Sequence, residues 1–441
     1  PHPAASAAST KPNFVVIFCD DLGYGDLGCF GHPTIATPHL DQMAREGMKF
    51  TSFYSAAPVC TPSRAALLTG RLPVRSGMCS DKRRVLFPDS AGGIPQSEVL
   101  LPEALKKVGY NTACVGKWHL GHLPQYLPTN NGFDSYFGIP YSNDMDRVGN
   151  RGPRGRAAFW EPKSEYWNVP LMRDLEIVER PADQTTITKR YTEEAVKFIN
   201  AHKDQANAKP FFLYLAHSMP HVPLFTSDEF VNKSLRGLYG AGIEEIDWSV
   251  GQVLQALRDT GLDKNTLVFF TSDNGPWLIF NEQGGSAGLL RDGKGSTWDG
   301  GMREPTVAWW PGKVPPATVN AGIASTMDIY TTCITLAGGD VPTDRIVDGV
   351  DLSDTLMGKG DSPRDTMFFY RGQQLYAVRH GSYKAHFTTQ AAYGGGGPQH
   401  HDPPALYNLD IDPGEQWDVG KDHPDVIEKI KQIAAGHKAK L

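Results

Sequence analysis

The sequence predicts an α/β protein with a large, mostly parallel or mixed sheet flanked by helices, followed by a smaller antiparallel sheet closed by one helix. Three observations predict it. Apolar runs of strand length recur along the first three-quarters of the chain. Long segments between them carry helical periodicity, and after about residue 345 the pattern changes to short runs separated by turn residues.

The run "NFVVIF" (13–18) is continuously apolar and rich in β-branched residues, as a strand buried on both faces of a parallel sheet requires. "TACVG" (112–116), "PFFLYLA" (210–216), "TLVFFTS" (266–272) and "PTVAWW" (305–310) read alike. In 184–202, Ile187, Tyr191, Ala195, Phe198 and Ile199 keep a three-to-four spacing. In 236–260, Ile243, Ile246, Val250, Val253, Leu254 and Leu257 do the same. Strands alternating with long helices place helices on both faces of the sheet.

Beyond residue 345, "TMFFYRG", "LYAVRHG", "YKAHFTT" and "ALYNLD" predict antiparallel strands, and "PDVIEKIKQIAAGHK" the closing helix. The expected organisation is an unstructured tail at 1–11, a main α/β domain over 12–345 and a lesser domain over 346–441 that contributes to a pocket rim. "YGGGGPQHH" (393–401) reads as a flexible loop.

The formal charge of −6 on 441 residues gives no sign of nucleic-acid or membrane-surface binding. Six cysteines lie scattered with no C-x-x-C pair, which argues against a zinc module or a thioredoxin-like motif. No apolar run approaches the roughly 20 residues of a membrane span. The small, polar opening "PHPAASAAST" fits what remains after signal cleavage, so an exported protein is expected: periplasmic or extracellular, or lysosomal in a eukaryote.

In an open α/β sheet, ligands bind beyond the carboxyl ends of the strands. The first strand runs into Asp20-Asp21, and the 266–272 strand into Asp273-Asn274. Three carboxylates and an amide converging there would suit a hard cation, Ca²⁺ or Mg²⁺, rather than zinc. Singly, each pair also reads as a helix cap or turn.

The stretch "APVCTPSRAALLTGR" (57–71) sets Cys60 before a helix that Thr61 can cap, Pro62 can open and Gly70 can end. A helix N-terminus favours an anion, and Arg64 adds a cation one turn on. A thiol phosphatase would need C-x5-R, yet the sixth residue after Cys60 is Ala66, and no G-x-S-x-G elbow surrounds Ser63. Lys117 and His119 in "GKWHLG", His217 and His221 in "HSMPHVP", and Lys294 in "DGKGSTWDGGMREP" all follow predicted strands or lie in glycine-rich loops. The bland alternative for each is a structural or solvated group.

Taken together, C-T-P-S-R-A-A-L-L-T-G-R at 60–71 resembles the signature of type I sulfatases, C-x-P-S-R-x-x-x-L-T-G-R. "VVIFCDDLGYGDLG", "FTSDNGP", "GKGSTWDGGMREPTVAWWPG" and "YNLDIDPGE" agree in order over roughly 12–420, and look like the arylsulfatase A and N-acetylgalactosamine-6-sulfatase branch. The resemblance implies an alkaline-phosphatase-like fold and a sulfuric ester hydrolase acting on a sulfated carbohydrate, glycolipid or aryl sulfate. It implies that Cys60 is oxidised by a formylglycine-generating enzyme to Cα-formylglycine, whose hydrate is the nucleophile and whose second hydroxyl lets sulfate leave as the carbonyl re-forms.

Carried over by position, Asp20, Asp21, Asp273, Asn274 and an oxygen on modified residue 60 would hold one Ca²⁺. Arg64 and Lys117 would hold the modified side chain, and His119 would pair with its hydroxyl. His221, Lys294 and Ser142 would face the sulfate, with Asp273 as a base and His221 or Lys294 as the acid. Arg371, His386, His400 and His401 could reach over the rim, with His401 the substrate contact. The basic loop "RGPRGR" (151–156) could hold a further acidic group. The rival readings are a phosphonate monoester or phosphodiester hydrolase, and an inactive glycan-binding protein.

Overall fold

A computed structural model describes residues 11–149, 155, 157–203, 209–393 and 395–441. The expected tail, Lys11 apart, and the basic run 151–156, Gly155 apart, lie outside the described residues. No helix among the described residues is long and apolar enough to cross a membrane.

The Asn13–Cys19 strand lies in the middle of a ten-stranded sheet, parallel to Phe211–Ala216 on one side and Thr266–Ser272 on the other. Asn111–Gly116 and Ser135–Gly138 continue the parallel set, and a hairpin of Leu171–Arg173 and Glu176–Glu179 ends it. On the other flank Thr306–Trp309 runs antiparallel to Thr266–Ser272, followed by Met48–Phe50 and Thr318–Asn320. The sheet is therefore mixed, with a parallel centre.

Successive side chains of a strand point to opposite faces, so the first strand feeds two cores. Val15, Ile17 and Cys19 pack with the helices Ile187–Asn200 and Gly237–Asp259. Phe14, Val16 and Phe18 pack with Cys60–Thr69, Leu101–Lys107 and Thr326–Leu336. Of the apolar helix positions named above, Phe198 alone stays only partly buried.

Every residue of the Cys60–Thr69 helix is buried. Its start differs from the expected one: Val59, in extended conformation, is the N-cap, and Thr61 lies inside the first turn. The Thr61 hydroxyl is engaged across the fold, donating to His119 O (3.0 Å) and accepting from Leu86 N–H (3.1 Å). Gly70 ends the helix in the left-handed region at φ 67°, where a Cβ would sit 2.5 Å from the Tyr330 ring.

A second sheet orders Thr366–Arg371, Gln374–His380, Tyr383–Thr389 and Gln399–Asn408 antiparallel, covered by the Pro424–Lys438 helix. Its last strand takes residues 399–401 out of the loop expected at 393–401, because Gln399 and His400 pair with Thr389 and Thr388 beyond a bulge. Met367, Phe369 and Ile430 share a core with Tyr54, Ala66 and Met327. A fully buried charge network joins the same halves. Lys384 Nζ donates to Asp299 Oδ1 (2.8 Å) and Thr297 O (2.8 Å) and lies 3.0 Å from Glu415 Oε1. His386 and Arg379 complete it, through Glu415 (2.7 Å) and the Tyr54 hydroxyl (2.5 Å).

Candidate active site

The site forms where parallel strands end. Asp20 and Asp21 follow the first strand, Lys117 follows Asn111–Gly116, and Asp273 and Asn274 follow Thr266–Ser272. Cys60 opens its helix opposite them, its thiol 3.4 Å from Asp20 Oδ1. Arg64, one turn on, is fully buried and donates to Asp273 Oδ2 through Nε (3.0 Å) and Nη2 (2.7 Å). Its other terminal nitrogen donates to Lys117 O (3.0 Å), so the helix cation ties two strand ends together.

Lys117 Nζ lies 2.5 Å from Asp20 Oδ2 and donates to Ser142 Oγ (3.1 Å). Lys294 Nζ donates to Asp21 Oδ2 (2.8 Å) and stands 4.1 Å from the Trp277 ring centre. Asn274 Nδ2 donates to Asp21 Oδ1 (2.7 Å). Three carboxylates face three cations in a space closed to water, where an unpaired charge would be costly.

Burial opposes ionisation of the Asp20 carboxyl, yet Lys117 and Arg64 hold it well below the usual range. Asp21 is pushed up to about 7 by burial, with Lys294 opposing and Asp20 and Asp273 adding. Burial raises Cys60 well above an ordinary thiol, against the pull of Lys117 and Lys294. Burial raises Asp273 as well, with Asp20 adding and Arg64 opposing.

Both site histidines are driven neutral. Burial, then Lys117, lowers His119, and burial, then Lys294, lowers His221. His119 Nε2 donates to Leu86 O (2.8 Å), leaving Nδ1 buried without a partner. His221 Nδ1 donates to Val222 O (2.5 Å), so Nε2 is left as the acceptor, 3.5 Å from Ser142 Oγ and 3.6 Å from Asp21 Oδ2. Ring tautomers follow from these partners.

The residues fit a hard cation. Ligand atoms of Asp20, Asp21, Cys60 and His221 all lie within 4.8 Å of one another. Asn274 Oδ1 is buried with no hydrogen-bond partner, a cost that a cation would remove. Asp273 stands outside that tight group, its Oδ2 taken by Arg64 and its Oδ1 accepting from Asp21 N–H (3.2 Å).

Above this floor opens a cavity of about 380 Å³ whose walls include Cys60, His119, Ser142, His221 and Lys294. The remaining expected positions lie elsewhere. His401 donates or accepts at Thr389 Oγ1 (2.8 Å) within the second sheet and is no part of the cavity wall. His400 pairs with Thr388 (3.0 Å), and His386 is buried against Glu415. Arg371 binds the carbonyls of Ala391 and Ala392. His217 is a core histidine, lowered to about 3 by burial. Sequence reading missed Lys82, Arg83, Arg84, Asp144, Trp277 and Tyr393, which line the wall; the basic triplet 82–84 was the one visible signal among them.

Carboxylates and fixed cations gathered around a buried cysteine at strand ends are chemistry suited to hydrolysis of an anionic ester. The profile of the Sulfatase family matches residues 12–339, and that of the C-terminal region of aryl-sulfatase matches 362–441. The chain belongs to the sulfatase family and is a sulfuric ester hydrolase of the alkaline-phosphatase-like fold.

It is 42% identical to the N-acetylgalactosamine-6-sulfatase of Mus musculus over 474 residues, covering 99% of this chain and 88% of that protein. It is 42% identical to the arylsulfatase A of Homo sapiens over 464 residues, covering 98% and 88%. The crystal structure of PsFucS1 sulfatase from Pseudoalteromonas sp. superposes with a TM-score of 0.87 at 31% identity, covering 98% of this chain and 90% of that one.

Proposed function

We propose that the enzyme removes sulfate from a sulfated carbohydrate, using residue 60, matured from cysteine to formylglycine by a formylglycine-generating enzyme, as its nucleophile. The observation that carries this reading is the position of Cys60: at a buried helix N-terminus, 3.4 Å from Asp20, at the foot of a cavity that Lys294, His119 and His221 also line. The hydrated formyl group would supply the attacking oxygen and, through its second hydroxyl, a way to expel sulfate. One Ca²⁺, held by Asp20, Asp21, Asp273 and Asn274, would supply positive charge to the sulfuryl oxygens.

The chain's own residues do the rest. Lys117 and Arg64 fix the acidic floor and orient residue 60. The unpartnered Nδ1 of His119 is an acceptor ready for a hydroxyl proton at residue 60. The carboxylate of Asp273, fixed by Arg64, would take the other hydroxyl proton. Lys294 keeps its ammonium because Asp21 and its neighbours outweigh the burial that opposes it, so it holds a proton for the leaving oxygen. A sulfate anion beside His221 Nε2 would favour a second proton there as well. Ser142, held by Lys117, completes the sulfate contacts.

The test is turnover by the matured enzyme of 4-nitrophenyl sulfate against an aryl phosphodiester. The sulfate is expected to be preferred by at least about tenfold in kcat/KM, equivalent to about 1.4 kcal/mol. Preference for the diester would favour the phosphonate monoester or phosphodiester hydrolase reading. Asp273→Ala is expected to lose bound calcium, measured by elemental analysis, together with activity; a variant that keeps its calcium would remove Asp273 from the ligand set.

A further inference from the structure

Charge is balanced on the cavity floor and unbalanced on its rim. On the floor Asp20, Asp21 and Asp273 face Arg64, Lys117 and Lys294. On the rim, Lys82 and Arg84 line the wall, and neither lies within ion-pairing distance of a carboxylate among the described residues. Their neighbour Arg83 does, pairing with Asp89 at 2.7 Å. Asp144 lines the cavity too, on the Ser142 side.

Arg84 is held in place. Its Nη2 donates to Gly295 O (2.8 Å), the residue after Lys294, and its guanidinium stands 5.9 Å from the Tyr393 ring centre. Its Nε is buried without a hydrogen-bond partner. Tyr393 and Trp277 pack at 5.7 Å, and Trp277 underlies Lys294, so aromatic faces connect rim to floor. Arg371 stands behind, bonded among the described residues to carbonyls and to no carboxylate; burial, then Arg84, weakens its hold on its proton. Lys82 is exposed, whereas Arg84 and Arg371 are half-buried like charges whose repulsion an anion seated among them would relieve.

We propose that Lys82 and Arg84 form a second anion subsite, so that the carbohydrate bearing the scissile sulfate ester presents another acidic group, a carboxylate or a second sulfate, to the cavity rim. The proposal rests on the sulfatase reading and names its substrate class: a polyanionic glycan rather than a neutral sugar monosulfate. The aromatic faces of Trp277 and Tyr393 lie between the two anion sites, where a sugar ring would cross.

The test uses inhibition of 4-nitrophenyl sulfate hydrolysis by disaccharides that join N-acetylgalactosamine-6-sulfate to a uronic acid. One arm compares the natural disaccharide with its carboxyl-reduced form. The other compares it with a disulfated form. In at least one arm the extra anion is expected to lower the inhibition constant of the wild-type enzyme by about ten- to a hundredfold, the scale of one charged hydrogen-bonded contact.

That advantage is expected to shrink below about threefold in Arg84→Ala and to fall in Lys82→Ala, whose side chain has no hydrogen-bond or ion-pair partner to lose among the described residues, with Arg84→Lys in between. The arm that responds identifies the anion as carboxylate or sulfate. No advantage in either arm, or an advantage that survives in both alanine variants, overturns the subsite. Failure of the wild-type enzyme to hydrolyse 4-nitrophenyl sulfate would instead count against the sulfatase reading, so the two failures are distinct.

Discussion

Cys60→Ala is expected to lower kcat for 4-nitrophenyl sulfate by about 10⁴- to 10⁶-fold, the scale seen when a covalent nucleophile is removed from an otherwise intact site. The fold should survive. The residue is 2% exposed and, among the described residues, its thiol makes one hydrogen bond, to Asp20, so the expected stability loss is about 1 kcal/mol. Intact mass gives an independent check: the active wild-type chain should lie about 18 Da below the unmodified mass, the difference between a thiol and an aldehyde, while the alanine variant shows no such species. A variant that retains activity, or an active wild-type chain at full cysteine mass, would move the chemistry away from residue 60.

The second large effect concerns stability. Lys384→Met keeps volume but strips the buried Asp299 and Glu415 of their shared cation, and breaking such a pair costs about 3–5 kcal/mol. Asp299 is held below the ordinary range because Lys384 and then Arg303 outweigh the burial that opposes its charge. Its loss of Lys384 therefore leaves a charge that only Arg303 and Arg379 offset. The urea midpoint is expected to fall clearly, and the double variant K384M/E415Q to recover part of the loss. An unchanged midpoint in Lys384→Met would show that this network does not hold the two sheets together. Activity should fall as well, because Lys384 also holds Thr297 O in the loop that carries Lys294.

The central strands and the floor of the site were legible because each rests on a local signal. "NFVVIF" reads as a doubly buried strand, and the Asp20-Asp21 and Asp273-Asn274 pairs directly after two such runs fall at one sheet end by topology. Cys60, Arg64 and Gly70 lie within one helix, so their relation follows from its pitch. The hairpin at 171–179 was not legible: its strands are short, and Ile177 and Val178 are each half exposed, without the alternation that marks a strand. His401 was misplaced because a run of glycines reads as loop, whereas pairing across a bulge draws Gln399 and His400 into the sheet. Tyr393 and Arg84 meet only in three dimensions, from segments 309 positions apart, and no local pattern announces such a wall.

The seclusion of residue 60 sets the order of events in this protein's life. All ten residues of its helix are covered, and the sheet closes over them from one side and the Thr326–Leu336 helix from the other. A second enzyme cannot grip a peptide so enclosed. On the proposed maturation of residue 60, the modifying enzyme would have to act while the chain is still open, and a molecule that closed first would keep its thiol.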